Sequence, residues 1–218
     1  MSEHHHHHHH APAIPVTMNM SFAIAVSANL LFTLAEAILA LEANSASLLG
    51  DAGHNFSDVL GLLLAWGATY LVSRGSGRDY SYGYRRTTIL AALLNAMLLL
   101  LAAGYIAVQS LEKFYNPVAP SETLIILVAL VGIAVNGGTA LLFMKSSKGD
   151  LNLKGAFLHL AYDALISAGV VVGGVVILFT GWLWVDPLMG LLITAVIVYG
   201  TWALLRDSIN LILDAVPQ

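Results

Sequence analysis

The sequence predicts an all-α integral membrane protein of six transmembrane helices with both termini in the cytoplasm. Three observations predict it: a scarcity of charge, six long apolar stretches and a one-sided distribution of lysine and arginine. The chain is 58% hydrophobic and 10% charged, with mean hydropathy +0.78. A soluble domain covers its surface with about 25% charged residues, so most of this surface faces lipid. There is no cysteine, which excludes disulfides, thiolate zinc sites and cysteine-dependent catalysis. The formal net charge of −4 says little about partners, and no basic patch is offered to nucleic acid. The polar, His-rich N-terminus does not read as a cleavable signal.

A helix needs about 20 apolar residues to cross the hydrocarbon core. Six stretches qualify: Met18–Ala43, Ala46–Val72, Thr87–Phe114, Thr123–Lys145, Leu153–Thr180 and Pro187–Leu213. The breaks between them are chemically marked. Asn44-Ser45 makes a tight first turn, and the second loop carries Arg74-Gly-Ser-Gly-Arg-Asp79. The third holds Asn116-Pro117 and Pro120, the fourth Lys148-Gly149-Asp150, and the fifth runs from Gly181 to Pro187. Trp182 and Trp184 in that fifth loop suit a membrane interface. Arg74, Arg78, Arg85, Arg86, Lys145, Lys148, Lys154 and Arg206 fall on one side of this arrangement, and Lys113 alone on the other. The positive-inside rule then places the even loops and both termini in the cytoplasm. The domain reading is a cytoplasmic His-rich tail over 1–17 and a six-helix transmembrane domain over 18–218.

Ionisable groups inside a span are expensive and are functional candidates by default. They are Glu36 in span one, Asp51, His54 and Asp58 in span two, and His159 and Asp163 in span five, with Asp186 at the mouth of span six. His54 and Asp58 are four residues apart, so they share a helix face about one turn apart, and His159 and Asp163 repeat the arrangement. Spans two and five run in opposite directions. At about 1.5 Å per residue, one pair lies roughly 10–16 Å from the outer face and the other roughly 8–15 Å from the inner face. In a core about 30 Å thick both pairs are near the middle. Face to face they offer two imidazoles and two carboxylates.

That donor set suits Zn2+, which takes four tetrahedral ligands from His nitrogen and Asp oxygen. Two aspartates also cancel the charge of the ion. Mg2+ or Ca2+ favour more oxygens and no imidazole, whereas Co2+, Fe2+ and Cd2+ remain compatible. A lone intramembrane His is as readily a packing residue, and a lone Asp can cap a kink. Two matched pairs at one depth resist that reading. Asp51, roughly 60° around the helix from His54, is a pathway or local structural residue. Glu36 is a packing or pathway carboxylate. Asn29, Asn95 and Asn136 read as interhelical hydrogen-bonding residues, and Gly169-x-x-x-Gly173 as a site of close helix packing.

These residues carry a family resemblance. The run Asn44-Ser-Ala-Ser-Leu-Leu-Gly-Asp-Ala-Gly-His-Asn-Phe-Ser-Asp58 resembles the second-helix signature of the cation diffusion facilitators. Tyr82-Gly-Tyr-Arg-Arg86 followed by Ile89-Leu-Ala-Ala-Leu-Leu-Asn95 is similar to the start of their third helix. His159-x-x-x-Asp163 and Asp186-Pro187 match their fifth and sixth helices. The likeness covers residues 20–216 and is strongest to the bacterial zinc, cobalt and cadmium resistance exporters. It implies six helices, a homodimer in the inner membrane, and metal efflux coupled to inward proton flow, with transport-site positions at His54, Asp58, His159 and Asp163. It also associates a His in the span-two position with preference for zinc over cadmium.

Family members usually continue into a cytoplasmic ferredoxin-like domain, and this sequence stops at Gln218. The expectation is a transport domain without that regulatory domain, either shortened or naturally short. His4–His10 is a run of seven histidines. A purification tag is one reading. The favoured one is a native tail that gathers metal loosely, because it runs straight into the first helix. The expected mechanism is alternating access around a fixed site, driven by protons rather than ATP, since no nucleotide-binding motif is present. The chain is not read as an enzyme. A passive zinc channel is one alternative. A haem protein with axial His54 and His159 is another, disfavoured because haem needs no carboxylate at i+4. An intramembrane metalloprotease would need an H-E-x-x-H helix, which is missing.

Overall fold

The structure, a computed structural model, describes residues 20–73, 85–144 and 151–212. The His-rich tail, the arginine-rich second loop with Tyr82–Tyr84, the fourth loop and the chain after Ile212 lie outside the described residues. Six helices follow one another: α1 Met20–Glu42, α2 Ala46–Ser73, α3 Arg85–Tyr115, α4 Glu122–Met144, α5 Leu151–Thr180 and α6 Val185–Ile212. Apart from the residues not described, each matches an expected span to within about two residues at either end, the ordinary scatter of helix boundaries. Among the described residues four helices, α3 to α6, contain segments long and apolar enough to cross a membrane.

The turns form where the sequence supplies the right residue. Asn44 takes a left-handed conformation (φ 48), which Asn tolerates better than other non-glycine residues. It closes α1 with Ser45 N–H donating to the Ala40 carbonyl at 3.0 Å, the six-to-one bond of a Schellman end. Ser45 then caps α2, its hydroxyl accepting from Leu48 N–H at 3.1 Å. Gly181 (φ 68) ends α5, donating its N–H to the Ile177 carbonyl at 2.8 Å. Between α3 and α4, Ser121 N–H donates to the Ala43 carbonyl at 2.9 Å, which pins the start of α4 beside the end of α1.

One helix organises the bundle. α2 touches each of the other five, while α3 pairs mainly with α6 and α4 with α5. Small residues permit this. A side chain on Gly190 of α6 would lie 2.7 Å from Ser110 Oγ and 2.9 Å from Ala46 Cβ, so α6 crosses α2 and α3 at backbone contact. A side chain on Gly174 would meet Ile125 and Ile126 at 2.9 Å, which sets the α4–α5 approach. Met189 of α6 lies over Gly169 and Gly173, so the Gly-x-x-x-Gly stretch is close packing within this chain, as its spacing implies. The outer surface is the reverse of a soluble protein's. Leu31, Leu101 and Leu165 are each at least 66% exposed, with Phe179 and Tyr199 beyond 80%. Such a continuous apolar exterior is a surface for lipid.

The polar groups are inside. Glu36, Asp51, Asn136 and Ser167 are fully buried.

Candidate metal site

α2 carries Asp51, His54, Asn55 and Asp58 at i, i+3, i+4 and i+7, a polar stripe on one face of an otherwise apolar helix. α5 answers with His159, Asp163 and Ser167 at i, i+4 and i+8. The two stripes meet with the helices running in opposite directions. His54 Nε2 lies 3.2 Å from Asp163 Oδ1 on α5 and 3.6 Å from Asp58 Oδ2 on its own helix. His159 Nε2 lies 3.3 Å from Asp58 Oδ2 and 3.8 Å from Asp163 Oδ2. Each imidazole is therefore nearer the aspartate of the facing helix than its own. The two rings are 6.4 Å apart, edge to face.

This is a closed ring of alternating nitrogen and oxygen donors. A tetrahedron with bonds of about 2.0–2.1 Å has donor–donor edges of about 3.3–3.4 Å. The four His–Asp distances bracket that value. Ligand atoms of His54, Asp58 and Asp163 all lie within 4.8 Å of one another. Asp58 Oδ2 and Asp163 Oδ1, both facing imidazoles, are enclosed and accept no hydrogen bond. A buried carboxylate oxygen without a donor is costly, and a cation between the four groups would satisfy both. The haem alternative fits poorly, because carboxylates fill the space next to both imidazole nitrogens.

Burial is uneven. The Asp163 side chain is 4% exposed and that of His159 45%, so the ring opens on the flank nearer the start of α5. The other flank is closed by polar side chains. Asp51 accepts from Ser167 Oγ at 2.7 Å. Glu36 accepts from Asn55 Nδ2 at 3.1 Å, and Asn136 Nδ2 donates to Asn55 Oδ1 at 3.5 Å. Glu36 and Asp51, both 0% exposed, are packed among these groups. Asn136 does bridge helices, as its intramembrane position suggests. Asn95 packs against Gly61, where a Cβ would lie 3.2 Å from its Nδ2.

Asn55 and Ser167 were not legible as partners one by one. The available signal was helical spacing: each continues a polar stripe already marked by His and Asp. Asp186 sits in the first turn of α6, at the helix mouth as expected, and serves a second helix from there. Its carboxylate caps α2, accepting from Ala46 N–H at 2.7 Å, Ser47 N–H at 3.0 Å and the Ser45 and Ser47 hydroxyls at 2.6 Å each. Lys113 stands 3.7 Å from it and donates to the Asn44 carbonyl at 2.6 Å. The isolated lysine thus ties the end of α3 to the α1–α2 turn and α6.

A profile of the cation efflux transmembrane domain matches residues 22–213. Among curated proteins, the chain is 33% identical over 189 residues to a cadmium, cobalt and zinc/H(+)-K(+) antiporter of Bacillus subtilis, covering 86% of this chain and 61% of that protein. It is 34% identical over 198 residues to the metal cation efflux system protein CzcD of Cupriavidus metallidurans, covering 91% and 63%. It is 32% identical over 187 residues to the zinc transporter ZitB of Escherichia coli, covering 85% and 60%. The chain spans about three fifths of the length of these relatives.

Proposed function

The chain belongs to the cation efflux transmembrane domain family, and from that premise we propose that it exports Zn2+ by exchange with protons. The site is His54, Asp58, His159 and Asp163. The observation that carries this reading is the ring of four His–Asp approaches between 3.2 and 3.8 Å in an apolar bundle. Relatives named for cadmium, cobalt and zinc or for zinc alone support the cargo class, and the two-imidazole donor set favours zinc among these. Co2+ and Cd2+ are secondary cargoes. All six helices span the bacterial inner membrane with both termini cytoplasmic, residues 18–218 form the transport domain, and the active species is a homodimer. The protein transports and does not catalyse.

Each site residue has a role. His54 and His159 bind as neutral imidazoles, so protons compete directly with metal. Asp58 and Asp163 supply the two negative charges that offset the ion in low dielectric. The opening beside His159 admits cytoplasmic metal, and the packed polar flank around Asp51 and Glu36 closes the outward side. Rocking of the helices then exposes the ring outward. Protonation there weakens binding, and protons return with the empty carrier.

Proteoliposomes with an internal zinc-selective dye test this. An imposed pH gradient drives zinc accumulation by wild type, and uptake slows by at least about 100-fold in the Asp58→Ala, Asp163→Ala double variant. Undiminished uptake by a correctly folded double variant would sink the assignment. Saturable flux that follows the pH gradient also separates a carrier from a passive zinc channel.

A further inference from the structure

The metal ring straddles a seam. Its donors come in pairs from α2 and α5, and elsewhere these helices keep different company: α5 packs mainly on α4, and α2 on α1, α3 and α6. One turn beyond the ring, on its closed flank, the two helices are joined again. Ser167 Oγ donates to Asp51 Oδ2 at 2.7 Å. Among the described residues this is the one side-chain hydrogen bond between α2 and α5 outside the ring. Both residues are 0% exposed. Asp51 stands three residues before His54 and Ser167 four after Asp163, so each continues the ring-facing stripe of its helix. Gly132 of α4 leaves room for the hydroxyl, since a Cβ there would lie 3.0 Å from both Ser167 Oγ and Phe32 Cζ.

Farther along the same flank the seam turns apolar. Leu48 lies three residues before Asp51 and Val170 three after Ser167. Both are 0% exposed and belong to one apolar cluster with Ile125, Val185 and Ile193. A dry apolar constriction stops an ion, so passage on this flank requires α2 and α5 to part. Direct packing between the two helices is slight, and the hydrogen bond adds a directional tie. That tie is incomplete. Asp51 Oδ1 accepts no hydrogen bond, and a buried carboxylate oxygen without a donor is costly. Water entering a parted seam would satisfy it. One bond therefore holds the seam shut and one unmet acceptor opposes it, which suits a closure that opens and reforms. Asp186 is the contrast, a permanent brace whose carboxylate takes four donors at the start of α2.

We propose that the Ser167–Asp51 hydrogen bond is the latch that holds α5 against α2 over the closed flank of the metal ring, and that it breaks whenever the ring opens on that flank. This rests on the metal-transport reading above, which makes that flank the outward one. Ser167 and Asp51 are then gating residues beside the site, and neither is a metal ligand.

The sequence has no cysteine, so a single reporter thiol tests this without background. The whole chain carrying Val170→Cys, in right-side-out and inverted membrane vesicles, is treated with a membrane-impermeant thiol reagent. Labelling is slow while Ser167 and Asp51 are present, because position 170 is buried beyond the latch. Ser167→Ala speeds labelling by about tenfold, the loss of one hydrogen bond to a charged acceptor. Asp51→Asn keeps an acceptor oxygen for the hydroxyl and changes labelling less than about threefold. In an Asp51→Ala background Ser167→Ala adds nothing, because the two side chains act as one unit. Ala103→Cys, a buried reporter on α3, is not labelled faster in any of these variants. Unchanged labelling at position 170 in Ser167→Ala overturns the proposal, and so do independent, additive effects of Ser167→Ala and Asp51→Ala. Equal speeding at position 103 means general loosening and also overturns it. A tenfold rise confined to inverted vesicles supports the latch and contradicts the orientation in the transport reading. The full pattern in a protein without pH-driven zinc flux likewise supports the latch and contradicts that reading.

Discussion

Asp186 shows how one charged residue can serve architecture rather than transport. Its carboxylate takes two backbone N–H groups and two hydroxyls at the start of α2, and Lys113 sits beside it. An anion at a helix N-terminus also opposes the positive end of the helix dipole. Removing one partner from such a buried group leaves the others unsatisfied. Asp186→Ala is expected to destabilise the protein by about 3–5 kcal/mol, read as a fall in melting temperature in detergent. A metal ligand behaves differently, because the metal-free ring already crowds two carboxylates. Asp163→Ala abolishes tight zinc binding without a comparable loss of metal-free stability. If the two variants lost stability equally, the division between cap and site would fail. In sequence, Asp163 is marked by the His four residues before it, whereas Asp186 is only an acid at a helix mouth. The long-range contact with Ser45 and Ser47 shows what Asp186 does there.

At the scale of elements, the helices were legible almost residue by residue. Apolar stretches, Asn44, Gly181 and the prolines near 117–120 each carry a local physical signal, and the turns use them. The His–Asp faces were legible for the same reason, since i, i+4 spacing fixes a side of a helix. Partnership was not. Nothing local says that α2 would touch five neighbours, or that α3 would pair with α6 rather than with α4. Those choices rest on close approach at glycines. Gly190→Ala tests one of them. Its new methyl would meet Ser110 Oγ at 2.7 Å and the Ala46 carbonyl carbon at 3.0 Å, an overpacking cost of about 1–3 kcal/mol. Thermal unfolding should show it, and adding Ser110→Ala should restore only part, because the Ala46 backbone cannot move aside. Full tolerance of Gly190→Ala would mean that α6 lies farther from α2 than described.

Across the whole molecule, the apolar exterior and the polar interior invert the pattern of a soluble protein, and the interior divides into layers. A cap of Ser45, Ser47, Asp186 and Lys113 closes one end. Beneath it lie Glu36 and Asp51, and beyond them the ring of His54, Asp58, His159 and Asp163, open beside His159. The proposed transport requires that ring to hold zinc with two imidazoles and two carboxylates. Zinc K-edge X-ray absorption tests it most directly, on protein lacking His4–His10 and loaded with one equivalent of Zn2+. The predicted spectrum has four nitrogen and oxygen ligands at about 2.0–2.1 Å, with scattering from two imidazoles that falls to one in His54→Ala. A shell of six oxygens without imidazole, or a spectrum unchanged in both His54→Ala and Asp163→Ala, would contradict it.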